Sequence, residues 1–208
     1  MKKLLHIIAT PRGDRSRTLQ VSRAFLEAFR TTHPEWNVEE LDLFKEKLPP
    51  LTVERVDGKY VLLSGKELPV ELKGAWEEIL RHIERFLAAD GYLISTPMWN
   101  FGVPYVLKHY LDVIVQPRGL FRYTPNGVEG LAKGRKMVIM TSRGGDYSTA
   151  PASTMDFLEP YLKAVFNFVG ITELTFVNVQ PMDALGPQVR DSKISAACES
   201  AQALAWKF

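Results

Sequence analysis

At 208 residues the chain is long enough for one well-cored domain and too short for two, so a single domain spanning 1–208 is expected. With 46% hydrophobic and 24% charged residues the composition is that of an ordinary globular protein, and a formal charge of +2 gives no electrostatic case for nucleic acid. The one cysteine, Cys198, forms no internal disulfide, and no apolar run approaches the roughly 20 residues of a membrane span, so a cytoplasmic protein with no membrane partner is expected.

In chain order, Leu4 to Ala9 reads as a buried strand. Val21, Ala24, Phe25, Ala28 and Phe29 then recur at the spacing of an amphipathic helix. Val38 to Leu43 is a second, weaker strand, and residues 44–69, rich in Pro, Lys and Glu, read as an irregular surface excursion. Ala75, Trp76, Ile79, Leu80, Ile83 and Leu87 stripe a helix feeding the strand Tyr92 to Ser95. Pro104 suits the first turn of a helix carrying Leu107, Tyr110, Leu111 and Ile114. "KMVIMTS" at 136–142 is a fourth main strand. A helix with Leu162, Val165, Phe166 and Val169 begins or kinks at Pro160 and stops at Gly170. "LTFVNV" from Leu174 is the fifth strand, and Asp191 is placed to cap a final helix through Ile194, Ala197, Cys198 and Ala201. Strand and helix alternate, which predicts an α/β fold on a parallel sheet.

Ligands of open parallel sheets sit at the carboxyl ends of strands, near the point where strand order reverses. Three loops fall there: "TPRGDRSRT" from Thr10, "TPMWNFG" from Thr96 and "TSRGGDYS" from Thr141. The first leads into a helix, whose unpaired N–H groups and partial positive charge, with the hydroxyls of Thr10, Ser16 and Thr18, suit a phosphate. Its plain alternative is a polar loop in which Ser16 is an N-cap. It has neither the glycines of a dinucleotide fingerprint nor those of an NTPase loop, and no cysteine nucleophile, so the loop is suited to holding phosphate rather than cleaving it. Gly144-Gly145 reads either as a turn or as a place where a planar ligand nears the backbone. The amides from Met98 to Phe101, flanked by Trp99 and Phe101, suit a flat heterocycle with a polar rim. A phosphate at one loop and a flat ring at two others describe flavin mononucleotide.

"PMWNFGVPYVLKHYLD", "FRYTPNGVEGL" and "TSRGG" together resemble the FMN-dependent NAD(P)H azoreductases of the flavodoxin-like quinone reductases. The resemblance spans nearly the whole chain. It implies a flavodoxin-like three-layer sandwich, with helices on both faces of a five-stranded parallel sheet in the order 2-1-3-4-5. It also implies bound FMN and a homodimer with sites at the interface. The implied reaction has two steps: NAD(P)H reduces FMN and leaves before a quinone or azo compound takes the electrons. By position, Thr10, Ser16, Arg17 and Thr18 would hold the phosphate, and Met98, Trp99, Asn100 and Phe101 the ring. Ser142, Arg143, Gly144 and Gly145 would hold its remaining edge, with Trp99, Phe121 and Tyr123 as substrate contacts. Thr10 replaces the usual serine, and Trp99 stands where a tyrosine is common.

No general acid, base or nucleophile is expected from the protein, because a flavin carries the hydride chemistry itself. His6 lies within a strand, and His33, His82 and His109 show no metal spacing, so no metal is expected. Asn126-Gly127 marks a surface hairpin. A flavodoxin-type electron carrier or a flavin-binding regulatory module is the alternative, but small carriers of that kind are usually strongly acidic and this chain is not.

Overall fold

The computed structural model describes all 208 residues. Five strands, β1 (Lys2–Ile8), β2 (Trp36–Asp42), β3 (Gly91–Pro97), β6 (Lys136–Ser142) and β7 (Glu173–Val179), form one parallel sheet in the spatial order β2-β1-β3-β6-β7. Counting these strands alone gives the expected 2-1-3-4-5. A separate antiparallel hairpin pairs β4 (Phe121–Thr124) with β5 (Gly127–Gly130). Its two-residue loop is Pro125-Asn126, one position earlier than Asn126-Gly127, because Thr124 and Gly127 close the ladder.

The pleat sends alternate side chains to opposite faces. Leu5 and Ile7 of β1, Tyr92 and Ile94 of β3, and Met137 and Ile139 of β6 enter the larger core. That core is closed by α3 (Val70–Leu87), α4 (Tyr105–Ile114) and α5 (Leu158–Phe168). Leu4, Leu93, Val138 and Met140 point the other way, under α1 (Arg17–Thr32) and α6 (Gly186–Ala205). There Phe25 and Phe29 stack at 5.6 Å and are fully buried, each contributing roughly 1.5–3 kcal/mol of transfer free energy. No helix is long and apolar enough to cross a membrane.

Three expectations are revised. Residues 44–69 are not irregular throughout: α2 (Val53–Leu63) lies within them. Its apolar residues Val53, Val56 and Tyr60 stay exposed, so they give no core-facing stripe, and the helix docks instead through Arg55 on α3, Gly58 and the half-buried Leu62. A Cβ at position 58 would collide with the Trp76 indole on α3. The last helix begins at Gly186, with Pro187 in its first turn, so Asp191 is an interior residue paired with Arg190 at 2.9 Å rather than a cap. Pro160 neither starts nor kinks α5. It is the third residue of that helix, within the first turn, where its missing N–H has no intrahelical partner to lose.

Candidate active site

The three loops leave the carboxyl ends of β1, β3 and β6, which are neighbours in the sheet. Two hydrogen bonds tie the ends together: Met98 N–H donates to the Ser142 carbonyl at 2.8 Å, and Thr18 Oγ1 meets Ser142 Oγ at 2.7 Å.

After β1 the chain makes a short 3-10 turn, Gly13–Arg15, and enters α1 at Ser16. The Ser16 side chain caps the helix by accepting the Leu19 N–H at 3.3 Å, so the capping alternative holds, while the hydroxyl proton stays available to a further acceptor. Thr10, Ser16 and Thr18 are all buried. The N–H groups of Arg17 and Thr18 have no acceptor within the chain, and the helix dipole adds positive potential there. The Arg17 guanidinium is drawn aside, donating to the Met182 carbonyl at 3.1 Å and to Asp183 at 2.5 Å.

After β3, Trp99 and Gly102 exchange two backbone hydrogen bonds of 3.0 Å around the dipeptide Asn100-Phe101, whose φ angles are 46° and 69°. Both central residues are left-handed, the pattern of a type I′ turn. For a bulky aromatic residue that conformation is strained, by about 1–3 kcal/mol. Of the four amides read from the sequence, those of Met98 and Trp99 are spent inside the chain. Those of Asn100 and Phe101 have no acceptor. Trp99 is half-buried, and Phe44, from the excursion after β2, packs on its ring at 6.0 Å.

After β6, the N–H groups of Gly144 and Gly145 likewise have no acceptor. The Gly144 carbonyl is held in place by the N–H groups of Met182, Asp183 and Ala184 at 3.0–3.3 Å. Arg143 does not reach the rim with its side chain. The guanidinium is fully buried on the opposite face, bonded to Asp156 through Nε at 3.0 Å and Nη2 at 2.7 Å. Nη1 completes the arrangement on Thr141 at 2.5 Å and Asn178 at 3.0 Å. Arg143 therefore braces the loop from behind. Phe101 and Tyr147 face each other at 6.5 Å across the second and third loops.

Phe44 and Tyr147 are rim residues that the sequence reading passed over. Each follows a strand's carboxyl end within a few positions, and that position was the available signal. Phe121 is buried against Phe168 at 4.7 Å, whereas Tyr123 on the same hairpin is exposed.

The assembled rim offers N–H groups at a helix start for an anion, and further N–H groups at residues 100, 101, 144 and 145 for the edge of a planar group. Among the loop residues that supply them there is no histidine or cysteine, and no cluster of three metal-ligating side chains exists in the chain. This donor set fits a ligand with a phosphate tail and a ring bearing acceptors along one side.

A family model described as the flavodoxin-like fold matches residues 2–205. The chain belongs to this family. Within the flavodoxin-like family, an FMN-dependent NADH:quinone oxidoreductase of Nitratidesulfovibrio vulgaris is 37% identical over 209 residues, covering the whole of both chains. A solved azoreductase from Bacillus anthracis superposes with a TM-score of 0.90 at 31% identity over 100% of each chain. An FMN-dependent NADH-azoreductase of the same species, solved in complex with FMN, gives 0.84 at 31% identity, covering 99% of this chain and 100% of that one. The present flavodoxin-like chain is, like these relatives, an oxidoreductase.

Proposed function

We propose that the chain binds FMN and passes reducing equivalents from NAD(P)H to quinones, and to azo compounds, in two successive half-reactions at one site. The observation that carries this reading is the convergence of unpaired N–H groups from three adjacent strand ends on a rim whose loops hold no histidine or cysteine. The hydroxyls of Thr10, Ser16 and Thr18 with the amides of Arg17 and Thr18 would hold the phosphate. Asn100, Phe101, Gly144 and Gly145 would meet the ring edge through their amides, with Met98, Trp99 and Ser142 around it. Bound FMN supplies the hydride chemistry, accepting from the nicotinamide and donating to the acceptor. The protein's part is to fix the ring, keep water from one face with Trp99 and Phe101, and leave the other open to each substrate in turn. One domain, 1–208, carries all of it.

The purified protein is expected to be yellow, to bleach under anaerobic NADH or NADPH, and to oxidise NADH steadily when a quinone is supplied. Colourless protein that takes up no added FMN overturns the reading. Bleaching without quinone turnover makes it an electron carrier instead.

The resemblance adds a homodimer. Its support is the set of large apolar side chains left exposed on one chain, Tyr60, Tyr123, Phe157 and Phe168 among them. Sedimentation is expected to give twice the chain mass of 23.5 kDa. A fully active monomer at micromolar concentration refutes the dimer.

A further inference from the structure

Helix α1 meets the sheet through two different kinds of contact. Its second half packs with Phe25, Leu26 and Phe29, but its first half places Thr18 and Ser22 over His6 of β1 and Ser95 of β3, all four buried. These side chains form a hydrogen-bonded chain whose direction the chemistry decides. Ser22 Oγ lies 3.1 Å from the Thr18 carbonyl, which only accepts, so the Ser22 proton is committed there. Ser22 Oγ, 2.6 Å from Ser95 Oγ, therefore accepts the Ser95 proton. Ser95 Oγ, 2.7 Å from His6 Nε2, in turn accepts a proton from the ring. In that direction His6 carries its proton on Nε2. Its Nδ1 has no hydrogen-bond partner, and Glu40 stands 4.0 Å away, beyond hydrogen-bond length. Burial holds the imidazole below its ordinary value despite Glu40, which agrees with a neutral ring.

We infer that His6 is a positioning residue for the anion-binding turn: through Ser95 and Ser22 it fixes the Thr18 carbonyl, and with it the first turn of α1, at a set rotation and height on the sheet. Apolar packing is non-directional and tolerates sliding of a helix over a sheet, whereas a one-way chain of three hydrogen bonds, of 2.7, 2.6 and 3.1 Å, does not. The Thr18 hydroxyl on Ser142 adds a second tether, to β6. The turn so held contains the unpaired Arg17 and Thr18 amides. The inference rests on the FMN reading only in naming what those amides bind.

The tautomer is tested on flavin-free protein by 15N NMR of the imidazole, with Nε2 protonated and Nδ1 bare as the expected result; the reverse assignment overturns the chain's direction and the proposal. The effect on the turn is tested by titrating FMN and riboflavin into His6→Leu and His6→Gln. Leucine is expected to weaken FMN about tenfold, the worth of one hydrogen bond, and riboflavin less than about twofold. Glutamine places an amide N–H near the position of Nε2 and is expected to restore FMN binding. Parallel loss of both ligands, or no rescue by glutamine, overturns the positioning role. Should His6→Leu not fold, Ser22→Ala, which removes both bonds of the Ser22 hydroxyl and leaves His6 on Ser95, is expected to show the same selective loss of FMN, and equal losses there count against the proposal. Wild-type protein that binds riboflavin but not FMN overturns the phosphate reading and this role with it, even if the tautomer is as expected.

Discussion

Replacing Arg143 with methionine is expected to lower folding stability by about 3–5 kcal/mol, the range for removing one partner of a buried ion pair. The guanidinium is fully buried and makes four hydrogen bonds, to Asp156, Thr141 and Asn178. Methionine fills most of the volume but leaves the Asp156 carboxylate without its cation. Asp156 also starts α5, accepting the N–H groups of Leu158 at 3.0 Å and Glu159 at 3.2 Å, so the damage spreads to a helix end. Its side chain keeps 14% exposure, and water reaching it places the loss nearer the lower figure. Adding Asp156→Asn to Arg143→Met should recover part of the loss, since the uncompensated charge is gone while the caps remain. Urea denaturation measures both variants. A single-variant loss under about 1 kcal/mol would put this pair in the class of surface salt bridges.

Ser16→Ala is expected to weaken FMN binding about 10- to 100-fold, because a hydrogen bond to a charged phosphate contributes roughly 1.5–3 kcal/mol. The structure gives this side chain a second duty, the cap to Leu19 N–H, whose loss costs about 1 kcal/mol of fold stability. The two roles separate by ligand. Riboflavin has no phosphate, so it should bind the variant and the parent almost equally if the hydroxyl serves the anion. A parallel fall for riboflavin, or an FMN change under about threefold, would leave Ser16 a cap alone.

The parallel sheet was legible because most of its strands are short apolar runs between helices of clear period, while the strand order came from the resemblance to the azoreductases. Helix α2 was not legible, since its docking face is Arg55, Gly58 and Leu62, with Val53, Val56 and Tyr60 outside, so it carries a single apolar residue inward and no stripe to find. In the site, residue types and loop order could be read, but side-chain direction was overlooked where it was available. Counting by twos along β6, Ile139, Thr141 and Arg143 share the face covered by α5, and Met140 and Ser142 share the face covered by α1. That alternation alone puts the Arg143 side chain behind the loop and Ser142 beside Thr18. The left-handed turn at Asn100-Phe101 had no such signal. Local preference argues against phenylalanine at φ 69°, and it is held there by the paired bonds of Trp99 and Gly102 and by the Phe157 N–H on the Phe101 carbonyl at 3.0 Å.

That turn also bears on how affinity is divided between folding and binding. A loop that stays disordered until its ligand arrives must be ordered at that moment, at about 1–2 kcal/mol for each residue fixed. Asn100 and Phe101 are held by the chain's own hydrogen bonds, so the part of this entropy that those bonds remove is lost when the chain folds and not in the binding equilibrium. The free protein is correspondingly less stable than one with a relaxed turn would be. Glycine at position 101 would remove the steric strain and return mobility to the rim, shifting part of the ordering cost back onto the ligand. Stability and affinity are set against each other at a single dipeptide.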